Sequence, residues 1–479
     1  MRCTLAAIII AAAGSTLALS ACDRGGSTRR PEDDSLHMPR MGAGNFRTDE
    51  EQRPEEARKV LPRTSPRTFQ DALQKEIEVA EHIVELWWAS RPVHDDVEAS
   101  RVPLVFADLR EQARSMDAAE PYTEAMRYAL CTLGDGHLRL VDEPGLTRDY
   151  FSGLHFDRAG EDIVVSSRSA GTGKGAQPKP EGRDTLIAAD GTPIEEWLDR
   201  LCLVPGSTKQ HRHAVALASL RHQARYLHEQ PTPRELTLKR HTGETYTIQV
   251  AWHALDDDAN VPCVQGRMLD KKAKIGLLRV RTLWCADRSG ALSDDEFARQ
   301  LRAAADNLGK AKRLIVDLRG NPGGTSWAGR RVLGMLRGTR SVWTVQRTRH
   351  PYRATTPPQK IEHRPGDKDP RLRPMPMSIL IDAGCADTCE LLAASLQGAE
   401  GVTMVGRATA GSVGKVTTFR LPYSGLRIAV PVTEHMLPGT DLAIEGRGIA
   451  PDVEVVRARS DIGVGADADL EVALERIRK

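Results

Sequence analysis

The chain has 479 residues, with 67 lysines and arginines against 65 aspartates and glutamates, a formal net charge of +2. That near-balance excludes the strongly basic surface that a nucleic-acid partner requires. The eight cysteines include no CxxC pair, so neither a zinc knuckle nor a thioredoxin-like site is indicated, and no metal or cofactor is expected.

The first 21 residues carry one arginine and then the uncharged run LAAIIIAAAGSTLAL. That run has signal-peptide length and falls short of the roughly 20 apolar residues of a membrane span. It closes on Leu19-Ser20-Ala21-Cys22, which resembles the lipobox of bacterial lipoproteins. The resemblance implies lipidation of Cys22, a membrane anchor through that lipid, and a body in the periplasm or outside the cytoplasmic membrane. Asp23 resembles an inner-membrane retention signal. Residues 22–65 are rich in glycine, proline and both charge signs, with no apolar period. Such a stretch cannot bury enough surface to offset its ordering entropy, so a flexible tether is expected.

A helical N-terminal domain is expected over 66–149. Leu73, Ile77, Ala80, Val84 and Trp87 recur at helical spacing, and a second helix is predicted over residues 122–133. This region closes on LGDGHLRL, 133–140. Residues 150–255 change to short strand-like runs, DIVVSS at 162–167, DTLIAA at 184–189 and ELTLKR at 235–240, with a turn at Asp190-Gly191 and a predicted helix over 211–229. His211, His213, His222 and His228 read as surface histidines of that helix, because no cysteine or carboxylate stands near them at metal spacing.

From 256 to the end, buried strands are predicted at 274–280, 313–320, 378–383, 402–406 and 426–432, with helices after Thr325 and over 387–397. Strands alternating with helices predict a mostly parallel, covered sheet, hence an α/β core. Six body cysteines remain: Cys131, Cys202, Cys263, Cys285, Cys385 and Cys389. An exported chain can oxidise them, in any of about fifteen pairings. Cys385 and Cys389 can pair with each other or with distant partners.

Four segments, in order, carry a family resemblance: LGDGHLRL, RLIVDLRGNPGG, LIDAGCADTCELLAA and EGRGIAPDVEV. Together they resemble the tail-specific, C-terminal-processing proteases of peptidase family S41. The resemblance implies a crotonase- or ClpP-like core, a PDZ-like module over 150–255, and a polypeptide substrate or peptide tail as partner. It is nearer the tricorn-like Ser-His-Glu branch than the Ser-Lys branch, whose lysine position falls on Ser412 while Lys415 lies three residues late. In the former branch the histidine matches His137, the glutamate matches Glu445, and the serine position is Asp387. Gly323, Gly324 and Thr388 would supply backbone oxyanion donors. The structural alternative for Asp387 is a helix N-cap, and Asp135 more simply holds its turn.

A histidine near pKa 7 takes a hydroxyl proton and returns it to the leaving amine, and a carboxylate fixes its tautomer. Aspartate at the serine position breaks that sequence, because a carboxylate attacking an amide gives an anhydride. Three readings stay open. The site is a peptidase-like relic that binds without cutting. Or Thr388 or Ser412 is a displaced nucleophile. Or Asp387 with His137 or Glu445 serves other acid–base or metal chemistry.

Overall fold

The computed structural model describes residues 66–89, 96–141, 147–168, 179–201, 208–226, 232–254, 262–286, 292–348, 356–366, 369–463 and 466–478. The signal segment, Cys22, the tether, Cys202 and His228 lie outside the described residues. No helix among those described is long and apolar enough to cross a membrane.

The N-terminal helices run Phe69–Val84, Asp96–Ala113 and Ala119–Thr132. Thr68 caps the first, its hydroxyl accepting from the Asp71 amide. Leu73, Ile77, Ala80 and Val84 face inward as their spacing requires. Their cluster also contains Phe419, Leu421, Ile428 and Val430 from a late hairpin, Val416–Arg420 with Arg427–Pro431. Strand Arg139–Val141 pairs antiparallel with that hairpin. The helices therefore share one core with the chain's last third, which fixes where the 133–140 segment points.

The middle region is an antiparallel sheet, ordered Leu154–Ala159, Asp162–Arg168, Thr185–Ala189, Glu235–Lys239 and Thr245–Gln249. Two helices, Ile194–Arg200 and Lys209–Arg221, pack with it. The expected 211–229 helix stops at Arg221. His222–Tyr226 is instead a strand, because its backbone pairs antiparallel with Thr147–Phe151. The histidines are not at the surface: His211, His213 and His222 are buried. His213 also has the carboxylate companion that spacing concealed, with Nε2 2.7 Å from Asp199 Oδ1.

The third region holds a six-stranded sheet. Val264–Asp270 pairs antiparallel with Ile275–Val280, followed in parallel by Arg313–Asp317, Met377–Ile381, Val402–Gly406 and Val453–Glu454. Met377–Ile381 is buried along its whole length, as expected of a parallel strand covered on both faces. Helices Asp294–Leu308, Ser326–Arg337 and Thr388–Leu396 cover one face, and the C-terminal helix Ala468–Arg478 covers the other. Asp469 on that last helix receives Arg319, Arg407 and Arg457, locking the helix against the ends of two central strands. The disulfides include Cys263–Cys285 and Cys385–Cys389, and Cys131 is also disulfide-bonded.

Candidate active site

Strand Met377–Ile381 delivers the chain into a tight turn before helix Thr388–Leu396. Asp382 organises the turn, its Oδ1 accepting from the Gly320 and Gly384 amides at 2.8 and 2.9 Å. Gly384 is required there, since a Cβ would stand 2.8 Å from Gly320 Cα. The Cys385–Cys389 disulfide spans the bend, with Cα atoms 5.4 Å apart. The Ala386 amide donates to the Asn321 carbonyl, and the Asp387 amide to the Ser412 carbonyl. Held from both sides, Asp387 adopts φ +52° and ψ −125°. For a non-glycine residue such a conformation costs about 1–3 kcal/mol and persists only where surroundings impose it. Asp387 occupies the cap position of the helix, yet its side chain makes no capping hydrogen bond. It points toward His137.

His137 follows a turn in which Asp135 Oδ1 accepts the His137 amide at 2.8 Å. Its Nε2 lies 3.8 Å from Asp387 Oδ1 and its Nδ1 lies 3.8 Å from Glu445 Oε2. At that length both are ion pairs rather than hydrogen bonds, and Nδ1 has no hydrogen-bond partner. Glu445 is fixed by two amides, Gly136 N–H to Oε1 at 2.8 Å and Val413 N–H to Oε2 at 2.9 Å. Burial alone would lower the His137 pKa. The two flanking carboxylates outweigh it and raise the pKa to about 9, so the imidazole is a cation at neutral pH.

The glycine loop lies against the same spot. Gly323 has φ +95°, and a Cβ on it would stand 2.8 Å from Asp387 Cβ. Its amide, however, donates to Asn321 Oδ1 at 2.8 Å and is turned away from the role expected of it. Asn321 is fully buried, and its Nδ2 holds the Val280 carbonyl. The Gly324 and Thr388 amides meet no acceptor among the described residues, which leaves them as the available oxyanion donors. The Thr388 hydroxyl donates to the Gly324 carbonyl at 2.7 Å and also reaches Asp387 Oδ2 at 3.3 Å. Ser412 Oγ faces the Gly136 backbone, 2.2 Å from where a Cβ there would be. Lys415 is exposed.

Two further residues belong to the site: Glu390, to which sequence reasoning gave no role, and His211, which it placed at the surface. Glu390, fully buried, receives the Thr409 hydroxyl at 2.5 Å and the Gly411 and Ser412 amides at 2.7 Å each. Burial pushes its pKa up to about 8, against the pull of those donors. A glutamate in the first turn of an otherwise apolar, buried helix was the available signal. His211 reaches in from the middle region, with Nδ1 2.5 Å from the Ala383 carbonyl, and burial lowers its pKa to about 4. Asp135, His137 and Glu445 each offer a ligand atom within 4.8 Å of the others. Asp135 Oδ1 and both Glu445 oxygens are already engaged by amides, which suits a fixed imidazole better than a cation.

The site is thus a buried imidazole between two carboxylates, beside unengaged amides at a helix N-terminus on a covered parallel sheet. Residues 274–455 match the family model of peptidase family S41. The fold is similar to that of mature CPAF complexed with lactacystin, at TM-score 0.64 and 14% identity over 86% of this chain and 98% of that one. Mature CPAF by itself gives 0.63 and 14%, over 86% and 97%. The photosystem II D1 C-terminal processing protease gives 0.48 and 19%, over 85% and 98%. No curated protein matches the sequence.

Proposed function

We propose that this chain is an exported, lipid-anchored peptidase-family protein of the Ser-His-Glu type whose cleft receives polypeptide tails without cutting them by serine chemistry. One observation carries the reading: a carboxylate, Asp387, occupies the strained turn beside His137 where a hydroxyl nucleophile belongs. It pairs with the imidazole and holds it protonated, so the histidine cannot accept a nucleophile's proton at neutral pH. The Thr388 hydroxyl is turned to the Gly324 carbonyl, which argues against its acting as a substitute. The lipid anchor rests on the Leu19–Cys22 motif, and the polypeptide ligand rests on the match of residues 274–455 to the S41 family model.

The test is labelling of the full-length protein by a fluorophosphonate probe, beside an Asp387→Ser variant. The proposal expects no labelling of the natural protein and labelling of the variant that is lost on adding His137→Gln. Labelling of the natural protein mapped to Thr388 or Ser412 would replace the reading with a displaced-nucleophile hydrolase.

A further inference from the structure

A side chain that only caps a helix sits in the extended region and bonds the first amides. Asp387 does neither. It keeps a left-handed, strained backbone, and its carboxylate remains 18% exposed while His137 beside it is closed off. Glu445 stands behind the imidazole on its other nitrogen. The Gly324 and Thr388 amides are unengaged. Trp284 packs on Gly324, its Nε1 2.5 Å from the point a Cβ would occupy. That Nε1 is buried without a hydrogen-bond partner. A carboxylate, an imidazolium and its orienting carboxylate thus stand together beside two unengaged amides.

A carboxylate is unsuited to amides but well suited to a strained saturated carbon, where its attack gives an ordinary ester instead of an anhydride. We infer that the Asp387–His137–Glu445 site is competent for hydrolysis of epoxides through an ester on Asp387.

In the first step an Asp387 oxygen bonds to a ring carbon and the carbon–oxygen ring bond breaks. The electron pair stays on the ring oxygen, which the His137 imidazolium protonates. The result is a hydroxyalkyl ester of Asp387 and a neutral His137. Esterification removes one of the two charges that hold the imidazole protonated, so His137 becomes a base at the moment one is needed. In the second step water attacks the ester carbon and gives a proton to His137, while the carbonyl oxygen's charge is held by the Gly324 and Thr388 amides. Collapse breaks the ester bond to the alkyl oxygen. That oxygen takes the remaining proton of the added hydroxyl, releasing a vicinal diol and restoring carboxylate and imidazolium. This chemistry needs only the groups around Asp387 and is independent of polypeptide binding.

The test uses the full-length protein with styrene oxide. A single turnover in ¹⁸O-water is expected to place the label in the Asp387 carboxylate and to leave the first diol unlabelled. His137→Gln is expected to retain one equivalent of styrene oxide on Asp387, found by peptide mapping, and to slow diol release about 10²-fold or more. Label appearing in the diol overturns the inference. So does the absence both of diol from the natural protein and of an adduct on a His137→Gln variant whose thermal transition is unchanged.

Discussion

Replacing Asp387 by serine removes one of the two charges that raise the His137 pKa, and the size of the effect follows from the distance. A unit charge at 3.8 Å, at an effective dielectric of about 20, contributes about 4 kcal/mol, or roughly 3 pKa units. The 18% exposure of the Asp387 side chain screens part of that, so a fall of about one to three units is expected. His137 in the natural protein, at about 9, should therefore titrate between roughly 6 and 8 in the variant, the range of a working general base. The assay is an ¹⁵N-histidine titration of both proteins, paired with the pH dependence of fluorophosphonate labelling of the variant. Labelling should rise with pH, with a midpoint matching the titrated value. A natural protein whose His137 titrates near 6.5, or a variant value equal to the natural one, would refute the electrostatic account of this site.

The same geometry bears on stability. Both His137 and Glu390 have folded-state pKa values raised above their ordinary ones, to about 9 and about 8. Each contributes stability that is present below its unfolded value and lost as pH rises through the folded one. The thermal midpoint should therefore fall across pH 4.5–9, through Glu390 from about 4.5 to 8 and His137 from about 6.5 to 9, and Glu390→Gln, which does not titrate, should flatten that slope below pH 8. An unchanged slope in calorimetry would remove Glu390 from the account. Gly136→Ala would bring a Cβ to 2.2 Å from Ser412 Oγ and 3.1 Å from Glu445 Oε1. A cost of about 1–3 kcal/mol by chemical denaturation is expected, with none if the 411–413 loop yields freely. Replacing Cys385 and Cys389 together by alanine should cost about 2 kcal/mol for so short a loop. If the bridge also holds Asp387 in place, the His137 titration moves toward 6.5 in that variant, and an unmoved titration would make the bridge purely structural.

The parts of this fold legible in the sequence are those whose signal is local. Ile275–Val280, Arg313–Asp317 and Met377–Ile381 are strands covered on both faces, so they read as near-continuous apolar runs. The first helix reads from one inward stripe. His222–Tyr226 could not be told from a continuing helix, because its strand character comes from pairing with Thr147–Phe151 about 75 residues earlier. The buried histidines failed for the same reason, since a helix does not announce whether a second body will cover its polar face. In the site the chemistry was legible by type, while its connections were not. Glu445 lies 308 residues from His137, and no periodicity links them; only the resemblance did. The strained turn at Asp387 has no spacing signature, since it is imposed by the Asn321 carbonyl, the Ser412 carbonyl and a disulfide acting together. The Gly323 amide shows the limit most clearly. Glycine there permits the close approach to Asp387 that the sequence suggests, but Asn321, two residues earlier, takes the amide for itself. Of the two glycines expected to offer an amide, only Gly324 keeps its N–H unengaged, a selection that the folded geometry makes and the sequence does not.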